Sequence, residues 1–427
     1  MNTICYTMKE VPVAGEFDVL VIGAGMAGVA AAIYAAKSGL KTGIIEYFGT
    51  PGGIPVNGKL CSISGFSKNK IRTVGGFALE VIEELCKKNK AFQQTETNYN
   101  VDPIALSSLL CSKLEEAGVE IFFYTQLIDA IREGSKATLA LTASKSGIQA
   151  FSSKLFIDAS GDGDFAWHLG CPYEKGRKSD GKVQSSTLIF TISGMDEKTM
   201  ENFVEIRKKW KSKKRLVPID HTPLQFLPYS NDSHSEIIIN MTHILNCDCT
   251  NTKDLTRVRL EGMKQAEYIL KFFQTEVIGF EKAYIRQVAD QVGVRETRRF
   301  IGDYILTEED VVAGRAFEDE IARGSWGIDV HSPDGIHTGI EKYLQQSYGI
   351  PYRCMIPQGI DNLYIAGRPI SADHRAFSST RINATCIAIG QTAGTAAAMA
   401  IKSGNTRKIA IQKLKQQLII DGAIITA

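Results

Sequence analysis

The sequence predicts an α/β fold: a parallel sheet flanked by helices and carrying a β-meander, with an α+β lobe inserted into it. Three observations lead there. An apolar strand near the start runs into a glycine-rich turn and an alanine-rich helix, FDVLVIGAGMAGVAAAIYAAK. Apolar runs of strand length alternate with helix-length segments up to about residue 170. After Cys171 the texture changes, and an apolar strand with a small-residue helix reappears near the carboxyl end.

Taken in order, Phe17 to Ile22 is a continuous apolar strand, the small residues after it have helical spacing, and Thr42 to Glu46 is a second strand, which together make one β-α-β unit. Pro103 opens a helix that runs to about Ala117, followed by a strand at Ile121 to Tyr124 and a short meander. The strand Lys154 to Ile157 ends in a Gly-Asp turn. From Cys171 to Gln346, alternating segments such as SSTLIFTISG and SEIIINMTHI mix with charged helices such as DLTRVRLEGMKQAEYILKFF, as expected of an inserted, substrate-facing lobe. The tail from Tyr348 holds a strand at Asn362 to Ala366 and an Ala-rich helix from Ala384 to Ile401. The expected division is therefore 15–170, 171–346 and 347–427, with the last part returning to the first domain.

A length of 427 residues exceeds what one core usually serves, consistent with two lobes or one interrupted domain. The 49 Lys plus Arg against 47 Asp plus Glu create no global field, so neither a nucleic-acid nor a membrane partner is expected. The start, MNTICYTMKEVPVAGEFD, lacks the pattern of a signal peptide, and no stretch reads as a membrane-spanning run. A cytoplasmic location is expected. Nine cysteines lie at unrelated spacings, which suits reduced thiols, and the absence of a CxxC pair argues against dithiol exchange chemistry. Cys247 and Cys249 form a lone CxC, expected as surface or half-buried thiols and not as a metal site. RKKWKSKKR, from Arg207 to Arg215, is the one dense basic cluster; its Trp210 could stack a base, but the run is read as a solvated face.

Gly23, Gly25 and Gly28 form GxGxxG directly after a strand and at the mouth of a helix. The first glycine permits the tight turn, the second lets the backbone approach a pyrophosphate, and the third lets helix and strand pack closely. The helix amino terminus offers N–H groups and partial positive charge to phosphates. Glu46, at the end of the next strand, stands where a carboxylate would accept hydrogen bonds from ribose hydroxyls. Dinucleotide binding follows. FAD is favoured over NAD by distant segments suited to a long cofactor. GTPGGIPVNG supplies Gly49, Gly52, Gly53 and Gly58; IDASGDGD ends a strand in a turn holding Asp162; and a helix start near Asn383 could stabilise charge on the flavin N1/O2 edge.

The set GAGMAG with Glu46, PGG, DASGDGD, ETRRFIGDYILTEEDV, GIDVHSP, IPYRCMIP, AGRPIS and GQTAGTAAA resembles the bacterial FAD-dependent oxidoreductases filed with xanthan-lyase-associated flavoproteins. More distantly it is similar to fumarate-reductase and glutathione-reductase-like flavoproteins. The resemblance spans about Asp18 to Ala398. It implies a Rossmann-like FAD-binding domain with an inserted α+β substrate lobe, and it names no substrate. Carried over motif by motif, it implies FAD contacts at Gly23, Gly25, Met26, Ala27 and Gly28, then at Glu46, Tyr47, Gly52, Gly53 and Leu127. Later contacts are implied at Ser160, Gly161, Asp162, Gly367, Arg368, Asn383, Gly390 and Gln391. No second GxGxxG with a matching acid marks a separate NAD(P)H domain.

A flavin reaction needs a group that takes or gives the proton accompanying the hydride. By the resemblance, the segment after Gly367 passes close to the flavin and carries His374, Arg375 and Arg381. His374 is the candidate acid or base, and Arg381 the candidate donor to a carboxylate or carbonyl. Arg353 and Arg298 match family motifs and are the next candidates. Asn240 and Thr242 could line the pocket, although a plain strand role suits them better; His331 reads as a turn residue, and TEED, Thr307 to Asp310, as a capping box.

The leading expectation is an FAD-dependent oxidoreductase acting on a small organic substrate as a dehydrogenase or C=C reductase, with an unidentified electron donor or acceptor. The competing readings are an NAD(P)H-coupled flavin oxidoreductase, a non-catalytic FAD-binding or RNA-modification-type flavoprotein, and a hydrolase or lyase, for which no nucleophile elbow is present.

Overall fold

The fold is that of a computed structural model, which describes residues 10–196, 203–212, 226–228, 236–335 and 338–426. The central sheet has seven strands, in the order Glu120–Phe122, Thr42–Ile45, Val13–Ile22, Gly147–Asp158, Lys136–Ser144 and Gln126–Glu133, with Leu363–Ile365 pairing the far end of Gly147–Asp158. Val19 to Ile22 are fully covered on both faces, which is why this strand reads as an unbroken apolar run and does not alternate.

The long strand Gly147–Asp158 joins the two halves of the sheet. Its first half closes the antiparallel meander, Ala140 facing Phe151, and its second half runs parallel to both Val13–Ile22 and Leu363–Ile365. The register aligns Ile22 with Ile45 and Asp158, and Asp158 with Ile365. The carboxyl ends of four strands, and the turns that follow them, therefore meet at one edge of the sheet. In open α/β sheets that edge holds the ligand.

The helix Met26–Lys37 packs against Asn383–Ser403 through small residues. A Cβ at Gly390 would lie 2.1 Å from the Ala27 carbonyl oxygen, and one at Gly394 would lie 2.2 Å from that of Ala31. Asn383–Ser403 is long and apolar enough to cross a membrane by length and composition, contrary to the expectation that no stretch is. Its apolar character is accounted for by burial on nearly all sides inside the protein.

A second core belongs to an antiparallel sheet of Phe226–Pro228, Glu236–Ile239, Phe190–Ser193 and Tyr284–Val288, covered by the helix Thr252–Glu276. That helix starts where the Asn251 side chain accepts from the Asp254 N–H, and it buries Val258, Gly262, Ala266, Ile269 and Phe273 along one stripe. The second core draws its residues from 190–283. Ile321 and Tyr348, on either side of the expected boundary at residue 346, lie in the first core.

Trp210 is 2% exposed and packs edge-on against Phe272, so it presents no face for a base. Residues 213–215 of the basic run lie outside the described residues. Cys247 and Cys249 are buried and not surface or half-buried; Cys249 Sγ lies 3.2 Å from Ser186 Oγ, while Cys5 is outside the described residues. The TEED segment forms the expected capping box, with Thr307 as N-cap and Asp310 as its reciprocal partner.

Candidate active site at the carboxyl edge of the sheet

Gly23 adopts φ +95°, and a Cβ there would lie 2.6 Å from the Ala159 carbonyl oxygen, so the first turn requires glycine. A Cβ at Gly28 would lie 1.9 Å from the Gly23 oxygen, which fixes the helix against the turn. Gly25 differs. It caps the helix with ordinary φ −63°, no side chain caps the helix end, and a Cβ there would meet nothing within 4 Å. That uncapped end with open space before it, continued by Met26 and Ala27 in the first turn, fits a pyrophosphate. The PGG loop folds directly onto it: Gly52 N donates to Ala24 O at 2.8 Å, and a Cβ at Gly53, φ +56°, would lie 3.0 Å from Gly25 Cα.

Glu46 holds this loop from the second strand. Its Oε2 accepts from Ala24 N at 2.6 Å and its Oε1 from Phe48 N at 2.9 Å. Burial pushes its carboxyl above the usual range, while the N–H groups of Phe48, Ala24 and Tyr47 oppose that. Each oxygen keeps a further lone pair for a ribose hydroxyl. The Tyr47 side chain points out, 60% exposed, so only its backbone serves the loop. Leu127 is the second residue of the Gln126–Glu133 strand that opens the meander beside this point, where Thr125 N donates to Glu46 O.

The DASGDGD turn is organised by a residue absent from the expected set. Asp158 is fully buried; its Oδ1 accepts from Ser160 N and Oγ, and its Oδ2 from Ala166 N. Burial pushes its carboxyl up to about 6 against those hydrogen bonds. An Asp two residues before a Ser in a glycine-rich turn is the legible signal for such a role. Asp162 accepts from Thr297 Oγ1 at 2.7 Å and from Arg368 Nη2, so it orients Arg368 across the site. Gly161, φ +86°, sits beneath that guanidinium, and Gly367 packs on Ala27.

Four expected site residues are placed differently. Arg298 donates to Asp164 at 2.8 Å and to the Asp162 carbonyl, and lies 4.8 Å over the Trp167 ring, so its guanidinium holds the turn from behind. Arg353 is a surface staple, 45% exposed, bound to Asp319 at 3.0 Å and stacked over Tyr304. Gly390 is a helix-packing glycine. Gln391 is buried in the interior, accepting from Phe77 N and donating to Asp421 O.

Asn383 is the first residue of a helix whose N-cap, Ile382, provides no side-chain cap, and the Thr385 hydroxyl in its first turn is buried without a partner among the described residues. Arg381 stands two residues earlier. Its Nη2 donates to Asp329 O at 3.0 Å and lies 3.7 Å from the Asp329 carboxylate, while its Nε is buried without a partner among the described residues. His374 Nδ1 is 2.9 Å from Glu296 Oε1, and the fully buried Glu296 also binds Arg299 and accepts from Gln184 N. Arg375 points outward to Glu308 and Glu341.

His331 is no turn residue. It ends the strand Ile328–His331, buried, with its ring stacked 5.5 Å from His243. Thr242 braces Leu188 N and O, and Asn240 accepts from Thr187, which gives both a strand-bracing role.

The profile of the FAD dependent oxidoreductase family matches residues 18–418. Thiamine thiazole synthases from Pyrococcus horikoshii and Pyrococcus furiosus are 30% and 33% identical over 123 and 116 residues, covering 29% and 27% of this chain. The chain spans under half of their own length, 45% and 42%. The solved structure of a geranylgeranyl bacteriochlorophyll reductase-like protein from Thermoplasma acidophilum superposes with a TM-score of 0.51 over 96% of this chain and 84% of its own. At 15% identity that likeness concerns the fold alone. With an open glycine cradle at an uncapped helix end, the Glu46 carboxylate bound to that turn and a profile match over nearly the whole sequence, the chain belongs to the FAD-dependent oxidoreductase family and is a flavoenzyme.

Proposed function

We propose that this flavoenzyme moves a hydride between bound FAD and a small organic substrate bearing a carbonyl or carboxylate, as a dehydrogenase or C=C reductase. The observation that carries this reading is Arg381, with an uncommitted Nε, immediately before the uncapped amino terminus of the Asn383–Ser403 helix. Bound FAD would supply the hydride acceptor or donor. The helix end offers N–H groups and partial positive charge where negative charge accumulates on reduction. Arg381 donates to the substrate oxygen. Glu296 holds the His374 proton at Nδ1, leaving Nε2 to take or return the proton that accompanies the hydride. A cytoplasmic location and an unidentified electron donor or acceptor complete the reading.

The test is anaerobic. The holoenzyme is screened for flavin bleaching by small hydroxy acids and by NADPH, and the dithionite-reduced enzyme for reoxidation by enoates. With an active compound in hand, Arg381→Ala should keep its FAD and slow the single-turnover rate by about a hundredfold, the usual cost of losing one donor to developing charge. An unchanged rate removes Arg381 from the site.

A further inference from the structure

The chain buries several arginines, and they differ in how they are satisfied. Arg299 meets Glu296, the Ala372 carbonyl and the Gly176 carbonyl; Arg323 meets Glu320 and both the hydroxyl and the carbonyl of Ser347. Arg295, 7% exposed, makes one hydrogen bond, to Ser185 O at 2.8 Å, and has no carboxylate within 4 Å among the described residues. A guanidinium cannot shed its charge to escape burial, so a buried one without a counter-ion is costly unless an anion arrives.

Its surroundings add one further positive charge and two buried imidazoles. Ser185 links Arg295 to His243, whose Nδ1 is 3.1 Å from Ser185 Oγ. His243 stacks on His331, whose Nδ1 is buried without a partner among the described residues. Arg381 lies close enough to Arg295 to oppose its charge; of the two carboxylates nearby, Asp329 is shared between Arg381 and His331, and Glu296 is taken by Arg299, His374 and Gln184 N. The Gln184 side-chain amide nitrogen is a buried donor without an acceptor among the described residues. Five sequence-distant segments, around Ser185, His243, Arg295, Asp329 and Arg381, thus meet in the interior and bring two guanidiniums together with one carboxylate, Asp329, between Arg381 and His331.

We propose that Arg295, with His243, His331 and Arg381, forms a subsite for the carboxylate of a small organic substrate. This rests on the hydride-transfer reading for its location but is tested by binding alone. Malonate is titrated into the oxidised holoenzyme at constant ionic strength, with chloride as the balancing salt, following the flavin absorbance spectrum and the melting temperature. A saturable change is expected, weakened at least tenfold in Arg295→Gln, several-fold in His331→Phe, which keeps the ring stack, and not at all in Arg286→Gln on the lobe surface. Absence of saturable binding in the unmodified enzyme overturns the proposal without recourse to any variant, as does undiminished binding in both site variants. Sulfate binding as tightly as malonate overturns the carboxylate assignment in favour of an inorganic oxyanion site. Failure of every redox substrate would sink the hydride-transfer reading and leave this titration standing.

Discussion

Gly25 and Gly390 make opposite predictions from the same substitution. A methyl at Gly25 meets no protein atom within 4 Å, and φ −63° with ψ 174° is open to any residue. Alanine is a poorer N-cap than glycine, a loss of about 0.5–1 kcal/mol, and restricting the unfolded chain returns a similar amount. Gly25→Ala apoprotein should therefore melt within a few degrees of the unmodified apoprotein. The space the methyl fills is the one assigned to the pyrophosphate, and overpacking there costs about 1–3 kcal/mol, roughly a 5- to 150-fold loss of FAD affinity. Gly390→Ala puts its methyl 2.1 Å from the Ala27 carbonyl oxygen, where neither backbone can yield cheaply. The cost of about 1–3 kcal/mol then falls on the fold, with FAD affinity per folded molecule nearly retained. The assay is titration of apoprotein by flavin fluorescence quenching beside thermal melts of the same samples. Full FAD affinity in Gly25→Ala would refute the placement of the phosphates.

Glu46→Arg removes the acceptor for Ala24 N and Phe48 N and reverses the charge facing the ribose, so FAD retention on purification should fall at least tenfold; a fully flavinated variant would sink the assignment. Glu296→Ala leaves the buried Arg299 with only the exposed Glu174 nearby, and chemical denaturation should show a loss of about 3–5 kcal/mol, with a loss under about 1 kcal/mol counting against the buried pair. The pH dependence of stability holds two opposed terms. Burial and the Arg295 charge push His331 down to about 4, so between there and its ordinary 6.5 the unfolded chain binds the extra proton and stability rises with pH. Burial pushes Asp158 up to about 6, so from its ordinary 3.8 the folded chain holds the extra proton and stability falls with pH. Each is worth roughly 3 kcal/mol, and they cancel across about pH 4–6. Asp158→Asn should expose the rising slope and His331→Asn the falling one; identical slopes in both variants would refute the pairing.

The sequence by itself determined the β-α-β unit, its glycine positions, Glu46, the PGG loop and the start of the Asn383–Ser403 helix. Those features are local: a hydrophobic period, a positive φ or an uncapped helix end is written within a few neighbouring residues. The tertiary structure alone decided what the charged side chains do. Arg298 finds Asp164 at a separation of 134 residues, Gln391 finds Phe77 at 314, and Arg353 is turned outward by Asp319. Arg295 and His243 carry no motif, and His331 looked like a turn. The local pattern of an arginine or histidine is the same whether it is paired at the surface or buried beside another cation. Its role depends on which acceptors distant segments bring within about 3 Å, and no spacing along the chain records that.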